Sequence, residues 1–206
     1  AIHDKMVGAN GAWAETVAGL KNVMDSSLYI MTNTTLLTHN YTSIAETLAF
    51  LADLGIPTVG LNALIYSGKG ESVGTGLKEG DLPYLLETAR QITSAYGQRL
   101  IWYTPTQYCH FNPIQLDLGV KGCTAALYNM CIEPNGDVIP CQSYYESLGN
   151  FLESPWIAIW EHPLALELRN RTNIPDGCRS CDFLHEGGGG CPLAREHQKI
   201  YPIQNP

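Results

Sequence analysis

Gly122–Cys141 reads GCTAALYNMCIEPNGDVIPC, and the second half of the chain is organised around it. Twelve residues separate Cys123 from Gly136 and four more separate Gly136 from Cys141, with Cys131 in between. The run Pro134-Asn135-Gly136-Asp137 is a turn signal between two short apolar runs, which predicts a β-hairpin bringing Cys131 and Cys141 near each other. A second group follows: Cys178-Arg-Ser-Cys181, then glycines at 187–190 and Cys191. Six of the seven cysteines thus lie between 123 and 191, and that density predicts a metal centre. Thiolates are soft ligands that suit iron–sulfur clusters and zinc. The glycines leave the backbone free to wrap closely round a bulky ligand. A zinc ribbon would use two Cys-x2–4-Cys knuckles. Only Cys178 and Cys181 make one, and the gaps of 7 and 9 residues around Cys131 fit poorly. Disulfides fit the odd cysteine count poorly. Iron–sulfur ligation is therefore the expectation, with a structural zinc site as the weaker alternative.

Composition bounds the rest. At 206 residues the chain is one large domain or two small ones. A hydrophobic fraction of 45% is ordinary for a globular protein. A net charge of −8 without a basic run argues against nucleic acid or an anionic membrane as partner. No apolar stretch reaches transmembrane length, and no signal peptide pattern is visible. Metal-bound thiolates in a reducing cytoplasm are the expected setting. The first residue is Ala1 rather than Met, so a fragment with its N-terminal part not shown is expected.

From Ala1 to about Pro113 helix and strand patterns alternate. AWAETVAGLKNVM places Trp13, Val17, Leu20 and Met24 on one helical face, with Asn10 as cap. Leu28–Thr32 reads as a buried strand. Ser43-x-x-Glu46 reads as a capping box for a helix to Leu54, ended by Gly55. Thr58–Ile65 is a second strand, and 67–80, with five glycines, a long loop. Asp81 caps a further helix with Pro83 in its first turn, ending at Gly97. Leu100–Tyr103 is a third strand. This order implies parallel strands with helical crossovers. Ligands of such folds collect at strand carboxyl ends, here Thr32-Asn33-Thr34, Asn62 to Ser67 and Thr104-Pro105. Strand capping is the equally ready reading of these polar residues. Cys109, beside His110, reads as an isolated buried cysteine, with a ligand or a substrate-side thiol as the alternative. Trp156, Ile157, Trp160 and Leu164 read as a packing face, Tyr144 and Tyr145 as interface residues, and His3 and Asp4 as loop residues without a clear partner.

The pattern Cys123-x12-Gly136-x4-Cys141, then Gly149-Asn150, Trp160, Arg169, Cys178-x2-Cys181 and GGGGC, resembles the SPASM domain, the auxiliary-cluster extension of radical S-adenosylmethionine (radical SAM) enzymes. The resemblance covers about Leu118 to Glu196. The preceding segment resembles the second half of a radical SAM barrel, with HDKMVGANGAW like the stretch after its fourth strand. The implied fold is α/β: the C-terminal half of a partial (β/α)6 barrel over 1–117, then a small cysteine-rich SPASM-like domain, with a β-hairpin and helices, over 118–206.

The resemblance implies that Cys123, Cys131, Cys141 and Cys191 hold a first auxiliary [4Fe–4S] cluster, and that Cys178 and Cys181 belong to a second. The family reads Cys-x2-Cys-x5-Cys-x3-Cys, so its third position falls on Gly187, and the last cysteine expected further on is absent. The second cluster is left two thiolates short; substitution by His185 or Glu186, and a missing or labile cluster, both stay open. Thr32, Asn33 and Asn62 would help bind S-adenosylmethionine. The implied activity is that of a radical SAM oxidoreductase or peptide-modifying enzyme. It abstracts hydrogen through a 5′-deoxyadenosyl radical from a peptide or cofactor precursor, with a flavodoxin or ferredoxin as electron donor. No three cysteines here have the initiating Cys-x3-Cys-x2-Cys spacing, so these residues alone are expected not to cleave S-adenosylmethionine. The alternative is a stand-alone cluster-binding, electron-transfer or peptide-docking module.

Overall fold

The computed structural model describes residues 2–200. They divide into two units. The first takes the chain up to Leu64, then Thr75–Thr104 and Pro113–Gly119; the second takes Ile65–Gly74, Pro105–Asn112 and the chain from Val120 onward.

In the first unit α1 (Ile2–Val7) and α2 (Ala12–Met24) precede β1 (Met31–Leu36), α3 (Ile44–Asp53), β2 (Thr58–Ala63), α4 (Leu82–Ala95) and β3 (Arg99–Trp102). The strands form a parallel sheet in the order β1-β2-β3. This is the α/β alternation that the apolar patterning predicts. The central strand β2 is buried from Thr58 to Asn62. Helices α3 and α4 cover the sheet with Leu48 and Leu51, and with Leu82, Leu85, Leu86 and Ala89, at helical spacing. Leu48, Leu61, Leu86 and Trp102 are fully buried; each such leucine contributes about 1.5–3 kcal/mol relative to exposure. Gly60 has a packing reason: a Cβ there would meet the Tyr103 ring at 2.7 Å.

Several expectations shift. The first strand is Met31–Leu36, not Leu28–Thr32; Leu28 and Tyr29 are exposed. The apolar run there misled, because the pairing surface is the β-branched threonine stretch that follows. The helix after it lacks a capping box: the Ser43 hydroxyl donates to the Asn40 carbonyl at 3.0 Å instead. Helix α2 is preceded by left-handed Gly11 rather than capped by Asn10, and it buries no residue. Asp4 is not without partners. It lies in α1, and its carboxylate accepts from the amides of Gly11 at 3.0 Å and Trp13 at 2.8 Å.

In the second unit β4 (Cys131–Ile132), β5 (Asp137–Ile139) and β6 (Gly149–Asn150) form a small antiparallel sheet in that order. Short helices follow: α5 (Trp156–Trp160), α6 (Pro163–Asn170), α7 (Asp176–Arg179), α8 (Leu184–Gly187) and α9 (Pro192–Ile200). Ala126, Val138, Leu148, Ile159, Leu164 and Ala165 make the core, with Met130, Tyr144 and Leu168 packed against it. The packing face of 156–164 is therefore carried by Ile159 and Leu164; Trp156 and Ile157 are exposed, because a five-residue helix presents only one side to a core this small. Tyr145 is exposed.

Candidate iron–sulfur site

The turn between β4 and β5 is built by sequence chemistry that reaches across the sheet. Gly136 takes φ +91°, and its amide donates to the Glu133 carbonyl at 2.8 Å. The Asn150 side chain locks this turn from β6. It donates to the Asn135 carbonyl at 2.9 Å and to the Asp137 carboxylate at 3.2 Å, and accepts from the Leu152 amide at 2.9 Å. A Cβ at Gly136 would sit 2.8 Å from that side chain. Gly149, before it, admits the Ile159 side chain.

A second brace holds the loop between Cys123 and Cys131. Buried Ala126 takes φ +54°, and its amide donates to the Pro140 carbonyl at 2.9 Å, beside Cys141. Arg169 donates to the Ala126 carbonyl at 3.1 Å and to the Trp160 carbonyl, with its guanidinium 4.1 Å over the Trp160 ring. Gly136, Gly149, Asn150, Trp160 and Arg169 thus hold the cysteine-bearing turns in place.

All seven cysteines are free thiols. Cys123, Cys141 and Cys191 form one group within electrostatic reach of each other. Burial pushes the Cys123 thiol up; the Ala125 amide that donates to its sulfur opposes this, the neighbouring Cys141 adds to it, and Arg195 and Arg171 oppose it. Burial pushes Cys191 up to about 11, against amide donation from Ala194 and Leu193 in the first turn of α9. Amide hydrogen bonds to sulfur are a main means by which a protein tunes a cluster. The cations are fixed by backbone: Arg171 donates to the Leu184 and His185 carbonyls, and Arg195 to those of Gly189 at 2.9 Å and Asn173 at 2.8 Å. With Cys123, Gly188 and Gly190 they line a cleft of about 450 Å³ of atom-free space open to solvent. Gly188, Gly189 and Gly190 all take positive φ, between +59° and +77°.

Cys178 and Cys181 belong to a second group, and its third thiol is Cys109. The three line one cleft of about 290 Å³ with Tyr108, Phe183 and Gly187. Burial raises the Cys178 thiol first, and the neighbouring Cys109 and Cys181 raise it further. Cys109 is exposed rather than buried and is not isolated, because the 105–112 segment packs within the second unit. His185 and Glu186 do not line this cleft. Cys131 opens β4 opposite Ile139, its thiol 3.9 Å from the Ile132 carbonyl.

The donor set is soft, and gathered thiolates suit iron–sulfur clusters. Among the described residues, no three Cys, His, Asp or Glu side chains gather to hold a single metal ion, as tetrahedral zinc at about 2.3 Å from each sulfur requires. One cleft lined by Cys109, Cys178 and Cys181, and another where Cys123 meets two fixed guanidinium groups and positive-φ glycines, suit a larger, anionic group.

In the first unit Thr32 and Asn33 lie in the middle of β1, not at its carboxyl end. Thr32 is half-buried, its hydroxyl without a partner, and Asn33 is exposed. Asn62 is near the end of β2, buried, and donates to the Thr35 hydroxyl at 3.1 Å and the Ala63 carbonyl at 2.8 Å. Sequence reasoning missed Arg171 and Arg195, and although it raised Cys109 as a ligand it did not pair it with Cys178 and Cys181. The seventh cysteine and the empty thiolate position at Gly187 were the available signals.

Residues 123–182 match the SPASM family, described as an iron–sulfur cluster-binding domain. A relative from Methanosarcina barkeri (strain Fusaro / DSM 804), named AdoMet-dependent heme synthase, is 22% identical over 196 residues, covering 88% of this chain and 56% of that protein. Two solved structures share the fold. Native anSMEcpe with bound AdoMet and the Cp18Cys peptide has a TM-score of 0.59 at 17% identity, covering 93% of this chain and 55% of the other. Native anSMEcpe with bound AdoMet has a TM-score of 0.60 at 16% identity, covering 93% and 54%. The chain thus spans a little over half the length of the proteins it matches. Among the described residues, no helix is long and apolar enough to cross a membrane.

Proposed function

We propose that this chain is the C-terminal part of a radical SAM/SPASM enzyme, and that its role is to bind auxiliary [4Fe–4S] clusters beside the substrate. The observation that carries this reading is the grouping of six thiols in two sets, within a segment of which residues 123–182 match a cluster-binding family. The working division is a partial barrel over 1–117 and the auxiliary domain over 118–206. Cys123, Cys141 and Cys191 hold the first cluster, with Cys131 as the expected fourth ligand from β4. When bound in the full-length protein, S-adenosylmethionine and its own cluster supply the radical chemistry that abstracts hydrogen from the substrate. This chain's residues do the rest: thiolates fix the auxiliary clusters, amides at Cys123 and Cys191 hold electron density on sulfur, and Arg171 and Arg195 offset the anionic charge. Thr32, Asn33 and Asn62 are proposed for the S-adenosylmethionine side. Of the three, Asn33 is the exposed one, while the Thr32 hydroxyl is buried without a partner. A peptide is the favoured substrate class, supported by fold similarity to a structure holding one. A flavodoxin or ferredoxin in the cytoplasm would supply electrons.

The test is anaerobic reconstitution with iron and sulfide, followed by iron and acid-labile sulfide assay and Mössbauer spectroscopy. At least one cluster, roughly four iron and four sulfide per chain, is expected, with loss on Cys123→Ala or Cys191→Ala. Zinc without sulfide in the purified protein would sink the cluster reading.

A further inference from the structure

We infer that Cys109 is the third thiolate of a second cluster site with Cys178 and Cys181, and that this cluster keeps one iron without a cysteine ligand. The inference rests on the cluster reading above and extends it to a residue outside the segment matched to the family.

Three observations support it. The cleft is lined by these three thiols together, and its remaining walls, Tyr108, Gly177, Phe183, Leu184, Gly187 and Gly189, bring no other soft donor. The position where the spacing asks for a thiolate, Gly187, is filled by a neighbour: a Cβ there would stand 2.8 Å from the Tyr108 ring. Tyr108 is fixed in that place, its hydroxyl accepting from the Lys121 amide at 2.9 Å and its ring 6.0 Å from Phe183. The residue next to this ring is Cys109. The same backbone segment that occupies the missing side chain's space therefore delivers a replacement sulfur to the same cleft. Soft thiolates gathered in this way suit an iron–sulfur cluster, and Cys109 is exposed, so the thiol is accessible for assembly.

A cubane takes four cysteines in its usual form. Three leave one iron open to an outside ligand. Such an iron is the one released on oxidation.

The experiment compares anaerobically reconstituted wild type, Cys109→Ala, the double variant Cys178→Ala/Cys181→Ala, and the triple variant, by iron and sulfide assay, Mössbauer and EPR. The expected wild-type load of roughly eight iron falls to about four in Cys109→Ala and in the double variant. The triple variant matches the double. Retention of the full load by Cys109→Ala overturns the assignment. So does loss of the remaining iron in the triple variant, since Cys109 would then serve the first site. A wild type that takes up no cluster refutes the cluster reading itself; one that loads only a cluster sensitive to Cys123→Ala refutes this inference alone. Mild ferricyanide oxidation of wild type should yield a three-iron EPR signal that Cys109→Ala lacks; a cubane that stays intact refutes the open position.

Discussion

Replacing Arg169 tests whether the thiols are placed by the frame around them. Its bond to the Ala126 carbonyl comes from a charged donor, worth about 1.5–3 kcal/mol and at the lower end for a half-exposed pair. The bond to the Trp160 carbonyl is exposed and adds about 1 kcal/mol. The guanidinium over the partly exposed Trp160 ring adds about 0.5–1 kcal/mol. Arg169→Ala should therefore destabilise the second unit by about 3 kcal/mol. Arg169→Lys keeps a charge but loses the planar fork, and should cost about 1.5 kcal/mol. Urea unfolding of the anaerobically reconstituted chain, followed by tryptophan fluorescence, reads this directly. With a slope of about 2 kcal/mol/M the alanine variant's midpoint falls by about 1.5 M. Because Ala126 is also bonded to Pro140 beside Cys141, the alanine variant should release iron faster to a chelator. An alanine variant within about 0.5 kcal/mol of wild type, holding its iron equally well, would refute the bracing argument.

Two further outcomes are expected. Gly190→Ala should cost about 2 kcal/mol or more by thermal melt: the position takes φ +77°, and the new Cβ would press on the backbone of Thr106 and Gln107 at 3.1 Å. The amides of Trp13 and Gly11, which donate to Asp4, hold its carboxyl below the usual range. The stabilisation is thus present above the unfolded-state value and lost as pH falls through the lower folded one, so the hydrogen-exchange protection factors of Gly11 and Trp13, taken against intrinsic rates at each pH, should fall there. Asp4→Asn should show the lower protection already at neutral pH.

The alternation of helix and parallel strand was legible because Leu48, Leu51, Leu82, Leu86 and Val59 carry clean periodicity. Strand β1 was misplaced because its pairing residues are threonines, whose fitness for a strand depends on neighbours rather than on apolar pattern. β6 was invisible: at two residues it has no period, and it exists because Asn150 reaches back to the β4–β5 turn. The cysteine spacing carried the iron–sulfur expectation, and residues 123–182 match a cluster-binding family. It could not show that Cys109, 69 residues before Cys178, shares that residue's cleft, since a contact at such separation leaves no local trace. Arg171 and Arg195 were overlooked for the same reason, as their partners are backbone carbonyls that any sequence would supply.

The glycines at 187–190 carry a thermodynamic consequence. Each loses about 0.5–1 kcal/mol more chain entropy on ordering than alanine would. The four together set about 2–4 kcal/mol against the folded segment that precedes α9. A group that binds only the folded form repays that debt by mass action. Iron and sulfide supply would then act on this stretch as temperature does, and the bare and loaded chains are two separate folding problems written in one sequence.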